Sequence, residues 1–265
     1  MTYNPNLADK LNRIVELEER LARAKRGKAE EGIEDETTIQ PLITPASINQ
    51  REYLQIPGTN TIISYLEAQG YNSLNWNDTH FKLSENGLYM PAPESFMKHF
   101  VNVLQAYQKK TKLYYADGTE VEREKIEDLY KHLTTNHISA YQGGSEGAWT
   151  NLDALFTNEN SKWFIKSNHR VVNGKLVGKK EQLEQCLTKD CFAELEFNKQ
   201  GLAIKESKKQ EYNQGKNIRF WYPRDKTVAW FGVAVSGRAG LVCVRDPSDW
   251  DSALGVFACA EGAQT

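Results

Sequence analysis

The stretch VAWFGVAVSGRAGLVCVRDPSDWDSALGVF, Val228 to Phe257, is strand-prone at both ends. Its middle is filled with Gly, Ala, Ser and Val, and single Trp and Arg residues interrupt the strict alternation of a half-buried strand. Ser236-Gly237-Arg238-Ala239-Gly240 reads as a turn between two strands. Val233, Val235, Val242 and Val244 fit the core of ordinary strands as well as they fit an outward surface.

Upstream of this stretch, Asn173-Gly174 between β-branched residues in KWFIKSNHRVVNGKLVGKK predicts a β-hairpin, and Asp117-Gly118 in KLYYADGTEV predicts another. APESFMKHFVNVLQAYQKK predicts a helix opened by Pro93 and Glu94, and EREKIEDLYKHL a second. TNTIISYLEAQGY stopped at Gly70, AWTNLDALF, and the spacing in KEQLEQCLTKDCFAELEF are likewise read as helical. At the amino end, Leu7, Leu11, Ile14, Leu17 and Leu21 make an amphipathic helix, and the charged, Pro-punctuated run after it is a linker ending near Pro45. The expected organisation is a helix and linker over residues 1–45 and one domain over 46–265. Helices early and strands late, without repeated βαβ units, give an α+β class.

The chain has 265 residues, enough for a substantial core. Lys and Arg number 33 against 35 Asp and Glu, a formal charge of −2, so no long-range field favours nucleic acid or an anionic membrane. The basic, aromatic run KESKKQEYNQGKNIRFWYPRDK reads as a solvated loop leading into a core segment, because Glu206, Glu211 and Asp225 interrupt it. With no export-signal pattern and no run of about 18 apolar residues, the sequence reads as a soluble protein without a membrane span.

Chemistry-bearing motifs are sparse. GKLVGKK, Gly174 to Lys180, is one residue short of a phosphate-binding loop and lacks its Ser or Thr. His132 and His137 are five apart, a spacing that separates two ligands on a helix. Cys186, Cys191, Cys243 and Cys259 fit no zinc spacing and read as free buried thiols. No catalytic residue, metal or cofactor is expected.

The carboxyl-terminal frame runs FWYPRDKTVAWFGV, AGLVCVRDPSD and DSALGVFACAE. Its ordered residues are Tyr222-Pro223, Val228-Ala229, Phe231, Leu241, Cys243, Asp246-Pro247, Ser252, Leu254-Gly255-Val256 and Ala258-Cys259-Ala260-Glu261. This frame resembles the variable proteins of archaeal and archaeal-viral diversity-generating retroelements. The resemblance covers about the last 130 residues and extends more weakly upstream through AWTNLDALF and NGKLVGKKEQLEQCL. It implies a C-type lectin fold whose end, here about residues 228–257, is rewritten by mutagenic reverse transcription at template adenines. In such a frame inward residues hold the register while outward ones vary.

Phe231, Leu241, Leu254 and Val256 would take the inward role. The varied, ligand-reading positions would be Trp230, Gly232, Val233, Val235, Gly237, Arg238, Val242, Val244, Arg245, Asp249, Trp250 and Phe257. Phe257 stands where the family commonly carries Arg. The function implied is non-covalent binding, as a receptor or adhesin, of a protein or other surface macromolecule by a monomer or small homo-oligomer. Two rivals are a formylglycine-generating-like oxidase using Cys243 and Cys259, and a structural or virion component. The resemblance gives no reason to expect calcium, because no carboxylates cluster in the sequence.

Overall fold

A computed structural model describes residues 48–135, 147–234 and 236–262. The expected amino-terminal helix, His137 and Val235 lie outside the described residues. Strands β1 (Tyr53–Gln55), β2 (Thr61–Ser64) and β10 (Cys259–Glu261) form a small antiparallel sheet in the order β1-β2-β10, so the end of the chain pairs with residues near the start of the domain. Between them lie helices α1 (Trp76–Ser84), α2 (Pro93–Tyr107) and α3 (Arg123–Thr134). These are followed by β3 (Trp149–Glu159), β4 (Lys162–Val172), β5 (Lys175–Gln182), β6 (Cys191–Glu194), β7 (Asn217–Trp221), β8 (Thr227–Val233) and β9 (Ala239–Arg245). They make a seven-stranded sheet in the order β5-β4-β3-β8-β9-β7-β6, antiparallel except for the β7–β9 pair.

The α+β class expected from the sequence is present. α2 starts with Pro93 in its first turn, where a missing N–H costs nothing, and buries Phe96, Phe100, Val103 and Leu104 at helical spacing. The Phe96 and Phe100 rings pack at a tilt against Phe231 of β8, with ring centroids 5.0 and 5.2 Å apart. α3 adds Ile126, Leu129 and Leu133 to the same core, so α2 and α3 seal one face of the sheet. Asn173 and Gly174 both take positive φ (50° and 69°), the conformation that a two-residue β4–β5 turn needs. Asp117-Gly118 also makes its expected tight turn, flanked by an isolated bridge between Tyr114 and Glu120.

Three segments differ from the helical expectation. Residues 59–71 hold β2, whose Ile62 and Ile63 are buried between β1 and β10. AWTNLDALF runs straight into β3, an interior strand of the sheet, where even Thr150, Asn151 and Asp153 are buried. Residues 180–197 contain the end of β5, an irregular passage and β6. Short apolar runs carry no period that separates helix from strand, and pairing across the sheet decided all three. Conversely, α1 has a capping arrangement: Asn75 accepts from the Asp78 N–H at 2.8 Å and donates to its carboxylate at 2.7 Å. No described helix is long and apolar enough to cross a membrane.

Candidate functional site

Burial divides the Val228–Phe257 stretch. Phe231, Leu241, Leu254 and Val256 are fully buried, the inward role expected of them. Trp230, Gly237, Val244 and Arg245 are half-buried, Arg238 and Asp249 are exposed, and Trp250 is 69 % exposed. The other expected surface positions need correction. Val233 and Val242 are buried, and Gly232 is buried because the Trp230 ring lies over it, leaving no room for a Cβ. Phe257 is wholly enclosed among the rings of Phe96, His99 and His132, and its N–H donates to Thr150 Oγ1 at 3.0 Å. An Arg in that place would bring a charge into an apolar cluster, which accounts for the Phe.

The strand register builds the outer face. Trp221 (β7), Val242 (β9), Trp230 (β8) and Asn151 (β3) stand abreast, and Arg219, Gly240, Gly232 and Trp149 form the adjacent row. Trp149 and Trp230 pack with centroids 5.0 Å apart, and Trp149 Nε1 donates to the Val233 carbonyl at 2.8 Å. The Arg219 guanidinium lies 5.2 Å from the Trp221 ring. Trp149, Trp221 and Arg219 are half-buried, and sequence reasoning missed them because only the register places them beside Trp230. Arg238 sits in the β8–β9 turn and Trp250 beyond the opposite end of β9, a strand about 20 Å long. Trp230, Arg238 and Trp250 therefore share no single row.

Beneath this region, Glu67 clamps the start of β3. Its Oε1 accepts from the Trp149 N–H at 3.0 Å, and its Oε2 lies 2.8 Å from His132 Nε2 on α3. Cys243 and Cys259 are fully buried free thiols, and burial pushes both well above the usual thiol range, which disfavours a thiolate at either.

A second centre lies where α1 crosses β3 and β4. His80, Asp153 and His169 are all buried, and one ligand-capable atom from each falls within 4.8 Å of the others. Asp153 and His169 each occupy a register irregularity, between Leu152 and Leu155 on β3 and between Ser167 and Arg170 on β4. Such bulges re-aim side chains. Asn168, at φ 53°, turns the backbone so that the His169 N–H leaves the ladder and donates to Asp153 Oδ2 at 2.7 Å. Its ring Nδ1 meets Asp153 Oδ1.

On α1, Trp76 Nε1 donates to the Leu152 carbonyl at 2.9 Å, and His80, one turn later, puts Nε2 3.5 Å from Asp153 Oδ1. The Trp76 ring packs edge-on against both imidazoles. Burial lowers the His80 pKa to about 4 against the pull of the Asp153 carboxylate, so this imidazole is neutral near pH 7.

Gly178 on β5 explains GKLVGKK: a Cβ there would overlap the His169 ring, so the glycine makes room for an imidazole. A cavity of about 20 Å³, enough for one water, opens between His80, His169, Tyr89, Arg170 and Leu176. The sequence reading expected no metal site. It could not see this cluster because the three residues come from distant parts of the chain, brought together by two bulges and a helix crossing. Comparisons with protein-family models, curated proteins and solved structures find no match to this chain.

Proposed function

We propose that this protein is a non-covalent binding module whose carboxyl-terminal stretch displays a recognition surface, on the outer face of the seven-stranded sheet, to a macromolecular target. The observation that carries the reading is the pair of cross-strand rows that set Trp149, Trp221, Trp230 and Arg219 side by side, while their inward neighbours Phe220, Phe231 and Leu241 are sealed under α2 and α3. Trp and Arg are the side chains that contribute most to binding when desolvated, often ~2 kcal/mol or more each. Those side chains on this face that are not buried can change without loss of register. Gly237, Arg238, Val244, Arg245, Asp249 and Trp250 extend the displayed set along the turn, the end of β9 and the loop after it.

The likeness to variable proteins of diversity-generating retroelements, with a C-type lectin fold, is part of this proposal, and the α+β architecture supports it at that coarse level. The test lies in the neighbouring DNA. A near-copy of the codons for Val228 to Phe257 is expected beside a reverse-transcriptase gene, differing at template adenines. Differences should fall at Trp230, Gly237, Arg238, Val244, Arg245, Asp249 or Trp250, with the codons of Phe231, Leu241, Leu254, Val256 and Phe257 unchanged. Absence of the copy, or substitutions concentrated at the buried positions, would overturn the proposal.

A further inference from the structure

We propose that His80, Asp153 and His169 form a binding site for a divalent first-row transition-metal ion, zinc being the type case, with the fourth position open to a water in the adjoining cavity. The inference is independent of the recognition surface. Two imidazoles and a carboxylate suit zinc, cobalt or iron rather than calcium or magnesium, which prefer all-oxygen shells. Three protein ligands with one open position is a recurrent zinc arrangement.

The geometry supports the assignment in three ways. A tetrahedral ion with ligands at about 2.1 Å keeps them about 3.4 Å apart, and His80 Nε2 lies 3.5 Å from Asp153 Oδ1. His80 Nε2 is buried and has no hydrogen-bond partner among the described residues, although a carboxylate oxygen lies 3.5 Å away. A buried ring nitrogen with no competing hydrogen bond, next to a carboxylate oxygen, is available as a metal ligand.

Finally, the site is built from elements that depart from regular geometry. The bulges on β3 and β4 turn Asp153 and His169 inward, the glycine at 178 leaves space for the ring, and Trp76 braces both imidazoles. An ion here would tie α1 to the β3–β4 hairpin. To bind it, the His169–Asp153 hydrogen bond would open to the spacing of two ligands.

The test uses the full chain, stripped of metal and titrated with Zn²⁺ against a chromophoric chelator, with Co²⁺ as a spectroscopic substitute. One tight site per chain is expected, with the intense visible bands of four-coordinate cobalt. His80→Gln should weaken Zn²⁺ binding at least about a hundredfold, beyond the range typical of losing an outer-shell contact, and His99→Leu should leave it unchanged. Stoichiometric binding that His80→Gln does not alter, or no binding by the parent chain, would overturn the proposal. Should the His80 variant fail to fold, ¹¹³Cd resonance on the parent chain decides instead: a nitrogen/oxygen donor signature supports the site, and a thiolate signature or no bound signal rejects it.

Discussion

His99 offers the sharpest quantitative test of the core. It is fully buried on α2 between Phe96 and Phe257, with neither ring nitrogen hydrogen-bonded among the described residues. Burial alone lowers its pKa from 6.5 to about 4. Because the folded value lies below the unfolded one, the unfolded chain binds a proton first as the pH falls, and stability is lost between about pH 6.5 and pH 4. Integrating the linkage from pH 7 to pH 5 with these two values gives a loss of about 2 kcal/mol attributable to His99.

Replacing it with Leu removes that titration and two unsatisfied polar atoms, so His99→Leu should be at least as stable as the parent at pH 7. Urea unfolding of both proteins at pH 7 and pH 5 measures the effect, and the variant should lose about 2 kcal/mol less than the parent over that interval. His80 and every other titrating group contribute to both proteins alike, so the difference isolates His99. Equal losses in the two proteins would refute the claim that His99 is buried, neutral and unpartnered.

Phe257→Ala should destabilise by about 3–5 kcal/mol, because it opens a cavity among Phe96, His99 and His132. Trp250→Ala, at a residue 69 % exposed, should stay within about 0.5 kcal/mol. Similar chemical-denaturation midpoints for these two variants would remove the distinction between frame and display. Gly178→Ala should cost about 1–3 kcal/mol in thermal unfolding, since its Cβ meets a His169 ring already held by Asp153. Lys179→Ala beside it is exposed and should be nearly neutral. A tolerated Gly178→Ala would mean that the His169 ring is not confined as described.

What could be read without coordinates was whatever depends on neighbours in the chain. Pro93 with the spacing of Phe96, Phe100 and Val103 specifies α2, and Asn173-Gly174 specifies the β4–β5 turn; the family resemblance assigned the inward role of Phe231, Leu241, Leu254 and Val256 but not that of Val233 and Val242. The Asn75 and Asp78 cap of α1 was also available, in a segment whose weak apolar pattern hid the helix. Trp149–Glu159 was misread because an interior strand buried at successive positions loses the alternation that identifies strands, and its buried Asn151 and Asp153 look like loop residues.

Only the tertiary structure decided that Phe257 is core, that Trp149 and Trp221 stand beside Trp230, and that His80, Asp153 and His169 meet. The physical reason is that local signals specify the conformation of a segment, whereas a site of this kind depends on register. A bulge that shifts pairing by one residue turns a side chain to the other face of the sheet, and no periodicity in the sequence announces where that shift will fall.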